Sequence, residues 1–134
     1  MPNNFLSQNY KPMNGELDFR RGDFRHADLS AAVLENANLE GADFSHATLK
    51  GAYLAGANLK GAIFTDAIMT NCDLTGADLS DADLTGVTLF GSSLKNTQLS
   101  NTNLSNADLE GVEMQELLLM MLTFIKPPLR ESLI

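Results

Sequence analysis

The chain has little of what most catalytic and nucleic-acid-binding sites are built from. It carries one cysteine, Cys72, in 134 residues, which excludes a disulfide framework and any cysteine-rich metal cluster. His26 and His46 are its two imidazoles. The ten glycines are spread through the chain rather than gathered into a phosphate-binding loop. Positive charge is scarce: nine Lys and Arg stand against seventeen Asp and Glu, a formal net charge of −8. That balance argues against direct nucleic-acid binding and against anionic membranes, both of which select basic patches. Long apolar runs are missing too. The longest, residues 117–125, is nine residues and is stopped by Lys126-Pro127-Pro128, far too short to cross a bilayer. The first residues show no basic region followed by an apolar core, so no secretory signal is expected and the expected location is cytoplasmic.

What the chain has is a period. From Phe19 to Met114, every fifth residue is Leu, Phe or Met, twenty times in succession. The position two before each centre is Ala in twelve of the twenty cases. The position just before is Asp or Asn in eleven, and the position two after is Gly or Asn in thirteen. A fixed internal period settles architecture before any single residue does.

Five fits neither a helix nor a long strand. On a helix, successive centres would rotate by about 140° and no apolar stripe would form. Short extended pieces joined by regular turns do fit. Asp and Asn bond nearby backbone through their side chains, and Gly and Asn tolerate the positive φ that some turns require. The centre and the small residue two before it point the same way along an extended piece, so both columns face inward.

The words Ala37-Asn38-Leu39-Glu40-Gly41, Ala57-Asn58-Leu59-Lys60-Gly61 and Ala77-Asp78-Leu79-Ser80-Asp81 resemble the pentapeptide-repeat family, whose motif is Ala, then Asp or Asn, then Leu, then two variable residues. The resemblance covers residues 17–116. It implies an all-β solenoid, a right-handed four-sided β-helix with four pentapeptides per coil and about five coils. Residues twenty apart then lie above one another, and one centre ladder begins with Phe24, Phe44 and Phe64. Flanking this domain, residues 1–16 are expected to form an N-terminal cap. Residues 117–134 are expected to cap the last coil, with 117–125 as a short helix or as a homodimerisation surface. Cys72 takes the place of Ala in an inward column and is expected to be a small core residue.

Within 17–116 fifteen acidic and six basic residues give 15 − 6, a net charge of −9. Arg20, Arg21 and Arg25 gather at one end, and Asp66, Asp73, Asp78, Asp81 and Asp83 follow without a base between them. Most of this Asp comes with the motif. His26 and His46 are expected on one corner of adjacent coils, with Asp23 and Asp43 from the same two units, where a divalent metal is the sharp alternative and solvated turn residues the plain one. Ser45, beside His46, has no sign of a partner that would orient a base, so no catalytic residue, metal or cofactor is expected. More informative are outward slots that the motif fills with polar residues. Ile63, Ile68 and Tyr53 replace Asp or Asn, Val33 stacks with Tyr53, and Phe90 shares a side with Ile68. They are candidates for partner contact, or else they pack against one another or a terminal segment. The expected function is a non-enzymatic scaffold or protein–protein interaction module with an unidentified protein partner. The alternative is a DNA-mimicking regulator of gyrase or another topoisomerase, a role the family resemblance also offers.

Overall fold

A computed structural model of the chain describes residues 17–114. Every pentad in it has the same form: one bridging residue, then a two-residue turn. The extended pieces expected from the sequence are therefore shorter than a strand, and no strand or helix forms among the described residues. A turn every five residues leaves only the residues around the bridge extended. Both terminal segments, with the expected caps and the 117–125 helix or dimer surface, lie outside the described residues.

The bridges fix the register. All sixteen are parallel, and each joins a residue to the one twenty places later. They form four columns, here numbered as faces: Asp18 to Gln98 is the first, Asp23 to Asn103 the second, Asp28 to Asp108 the third and Val33 to Glu113 the fourth. Each column holds five levels. A chain that returns to its own position every twenty residues after four turns has four sides.

The hydrogen bonds of one central pentad explain why the motif reads as it does. Ala57 N–H closes the turn onto Leu54 O at 3.0 Å, and Asn58 N–H reaches back one level to Ala37 O at 2.9 Å. Leu59 N–H and Gly61 N–H reach forward to Asp78 O and Ser80 O at 2.8 and 2.9 Å. The fifth amide, on Lys60, has no backbone acceptor and donates to Asn58 Oδ1 at 3.2 Å. Each amide of the pentad thus has a partner, one of them supplied by a side chain.

The turn also dictates its third residue. Position two after the centre has positive φ at each of the nineteen described corners, between 55° and 71°. Glycine and asparagine fill most of these positions. Arg21, His26, Ala31, His46, Asp66 and Asp81 adopt the same conformation without glycine's freedom.

The core is the stack of inward columns. Phe44, Leu59, Phe64 and Leu79 are fully buried, and the small column from Ala32 to Ala67 is buried with them. Phe24, Phe44 and Phe64 stack nearly parallel at 5.0 and 4.8 Å, one strand spacing per level. Phe19 meets Phe24 edge-on at 6.0 Å. Gly22 replaces Ala in the first level because a Cβ there would lie 2.5 Å from the Phe24 ring and 3.0 Å from Phe19 O.

Candidate functional site

The outward slot before each centre does a definite job. In all eleven cases where it is Asp or Asn, the side-chain oxygen accepts the amide two residues on, at 2.9–3.3 Å. At Ser30, Ser45, Thr85 and Ser105 the hydroxyl donates to the same oxygen at 2.6–2.7 Å. The run of acidic residues is thus in large part turn chemistry, as the motif suggests.

Against that background the exceptions stand out. Val33, Tyr53, Ile63 and Ile68 cannot accept a hydrogen bond from the following turn, so those turns give up the side-chain bond. Tyr53 is 47% exposed, Val33 46% and Ile68 38%, whereas Ile63 is only half-exposed. Phe90 is 46% exposed and leans toward the next corner, where a Cβ on Gly111 would meet its ring at 3.9 Å. The structure does not gather these residues into one patch. Val33 and Tyr53 are bridged neighbours on the fourth face, while Ile63 sits between Asp43 and Asp83 on the second. Ile68 lies between Thr48 and Thr88 on the third face, and Phe90 follows on the next level of that face.

Comparison with known proteins gives this geometry a frame. Eight copies of the pentapeptide-repeat model match the chain, over residues 16–51, 42–81, 52–89 and 82–116. The chain belongs to the pentapeptide-repeat family. No curated protein matches it. Among solved structures, it is similar to a pentapeptide repeat protein from the cyanobacterium Cyanothece 51142, with 28% identity and a TM-score of 0.57, over 70% of this chain and 60% of that one. It is also similar to HetL, a pentapeptide repeat protein involved in heterocyst differentiation regulation in the cyanobacterium Nostoc sp. strain PCC 7120. There the identity is 30% and the TM-score 0.51, over 74% of this chain and 49% of that one. A third relative, from the Arabidopsis thaliana thylakoid lumen, shares 25% identity at a TM-score of 0.51, over 87% of this chain and 81% of that one. The chain thus spans 60% and 49% of the lengths of the two cyanobacterial proteins. The family and these neighbours imply a right-handed quadrilateral β-helix.

Within the pentapeptide-repeat frame the other candidate chemistry is structural. His26 and His46 sit on one corner of adjacent levels, with rings stacked at 5.1 Å and an interplanar angle of 7°. Parallel rings send their lone pairs side by side rather than toward a common point. Among the described residues, no group of three or more His, Cys, Asp or Glu is placed to hold a metal ion. Asp23 is instead clasped by Arg25, whose Nε and Nη2 donate to its two oxygens at 2.9 Å. That contact holds its carboxyl down at about 2.

Cys72 is buried in the small column, where its thiol donates to Leu49 O at 2.8 Å. Burial, above all, pushes the thiol up to about 12, so it is no nucleophile. Sequence reasoning passed over its companions. Ser92, Thr97 and Thr102 are buried in equivalent positions and each donates to the carbonyl twenty-three residues earlier, at 2.6–2.7 Å. Ser92 Oγ also accepts the Cys72 amide at 2.9 Å, standing in for a turn bond. The available signal was their place in the alanine column. On the first face, Gly41 and Gly61 leave a shallow cavity of about 730 Å³ lined by Arg21, Glu40, Lys60 and Asp81, with Asp18 and Arg20 beside them. Three bases and three acids line it, so it selects no charge.

Proposed function

We propose that this pentapeptide-repeat protein is a non-enzymatic scaffold or protein–protein interaction module, and that Ile68 and Phe90 on the third face form its principal contact surface. One observation carries the proposal: the slot that in eleven pentads supplies a turn acceptor holds the exposed Ile68 here, and the exposed Phe90 lies beside it one level on. A net hydrogen bond contributes about 0.5–1.5 kcal/mol, so an apolar side chain in that slot is retained at some cost to the fold. Exposed apolar side chains that lie next to one another, as Ile68 and Phe90 do on the third face, are the ones that mark a contact surface. Tyr53 and Ile63 extend the candidate surface to the neighbouring faces. The involvement of HetL in regulation agrees with a role that needs no chemistry.

The gyrase alternative has less support. The most acidic face, the second, holds Asp23, Asp43, Asp66 and Asp83 against Arg25, which is −4 + 1 = −3. Duplex DNA of the same length, about 24 Å, carries about fourteen negative charges over all its sides, against a net −8 summed over the four faces of the described residues. The test of the leading reading is affinity capture from native extract with the wild type, Ile68→Asn and Phe90→Ser. Loss of the same captured protein in both variants supports it. An identical captured set in all three moves the contact surface elsewhere.

A further inference from the structure

The third face has a charge pattern that matches itself. Its two outward columns read Asp28, Thr48, Ile68, Thr88, Asp108 and Ser30, Lys50, Thr70, Phe90, Glu110, level by level. Its three middle levels hold a single charge, Lys50, while the last holds two acids. Lys50 makes no ion pair among the described residues, although its charge is felt by Asp28.

We propose that this face pairs with the same face of a second copy, antiparallel, about a two-fold axis between its third and fourth levels. The inference rests on the reading of Ile68 and Phe90 as a contact surface and names what covers them. A two-fold axis across the rod keeps each column opposite itself and reverses the levels. Level two then faces level five, so Lys50 of each copy meets Glu110 of the other. Level three faces level four, so Ile68 covers Thr88, Phe90 covers Thr70, and the two large side chains reach each other diagonally.

The competing registers set like charges together, put acids on apolar or neutral side chains, or, with the axis between levels two and three, leave Lys50 facing Thr70 unpaired. An axis at the third level brings Asp28 against Asp108, like against like. One at the fourth level sets Ile68 against Asp108 and Thr70 against Glu110. Parallel rods put the Asp108–Glu110 pairs of both copies together. Only the register between levels three and four pairs the lysine and leaves the apolar side chains on neutral ones.

The face is small. In this register four levels face one another, and at ~4.8 Å by roughly 12 Å they give about 200–250 Å² per copy, below the ~800 Å² per partner of a standard stable interface. The dimer is therefore weak, with a Kd on the order of 10–1000 μM.

Sedimentation velocity on the full chain, from a few μM to about 1 mM, tests this. Wild type is expected to show a concentration-dependent dimer. Ile68→Asn should raise Kd at least ~10-fold with no loss of thermal stability, because asparagine restores an acceptor for the Thr70 amide. Lys50→Glu and Glu110→Lys should each abolish dimerisation by setting like charges together, and the double variant should restore it. A wild type that stays monomeric to 1 mM overturns the proposal. So does a dimer that none of these substitutions disturbs, which would place association elsewhere, the 117–125 segment being the first candidate. Either result leaves the capture experiment with Ile68→Asn and Phe90→Ser standing as the separate test of a heterologous partner.

Discussion

Ala31 illustrates what a single residue contributes at a corner. Its φ of 58° lies in the left-handed region, where its Cβ crowds the following carbonyl and no polar side chain compensates. Ala31→Gly is expected to stabilise the fold by about 0.5–1 kcal/mol, a few degrees in Tm by calorimetry for a domain of this size. An unchanged or lower Tm would mean that the corner is not strained. Asp23 carries the clearest pH signature. Its carboxyl falls from an ordinary 3.8 to about 2 in the folded state, first through the hydrogen bonds from Arg25. A depressed folded value means a stabilisation fully present above 3.8 and lost as pH falls through about 2. Asp18, Asp28 and Asp73 shift in the same direction. Thermal melts should therefore hold steady above about pH 5 and drop between about pH 4 and 2. Asp23→Asn keeps the turn acceptor but cannot titrate, so its melts should show a smaller acid-induced drop.

At the level of the pentad and the column, the phenylalanine stack is where packing is densest. Phe44 is fully buried between Phe24 and Phe64. Phe44→Ala should cost about 3–5 kcal/mol, because rings above and below cannot close the gap without breaking the level spacing. Urea unfolding would read the loss, and a cost under about 1 kcal/mol would mean the stack relaxes freely. The inward columns and the place of Cys72 were legible in the five-residue period itself, whereas the twenty-residue register and the Phe ladder were legible only through the four-pentad coil that the family resemblance implies. The turn role of Asp and Asn was legible too, since those side chains are the ones that serve a nearby amide. What a period cannot carry is the detail of its exceptions. That Arg21 and Ala31 would accept positive φ, or that Ser92 would bridge Cys72 N–H to Met69 O, depends on neighbours a level away. The outward apolar residues and their distribution over three faces were legible too, once four pentads per coil are taken from the resemblance; how far each side chain stands exposed was not.

At the scale of the whole molecule, the charge is spread rather than focused. The four faces carry net charges of −1, −3, −2 and −2 over the described residues, so no side presents the dense anionic stripe of a nucleic acid. Adding this protein to a DNA gyrase supercoiling reaction, with or without a quinolone, is expected to change nothing up to tens of micromolar. Inhibition or protection below that range would make the acidic second face, rather than the apolar third, the centre of its function.

A four-sided circuit of twenty residues also ties length to direction. Inserting one pentad between two levels would leave the added pentad's bonds intact yet turn everything after it by a quarter of a circuit. Side chains that had shared a face would then point at right angles to one another, and only a fourth such insertion would bring them back into line, one level further apart. The molecule thus behaves as a compass as well as a ruler. Changes in multiples of twenty adjust the distance between two surface features, while changes of five choose which way each of them looks.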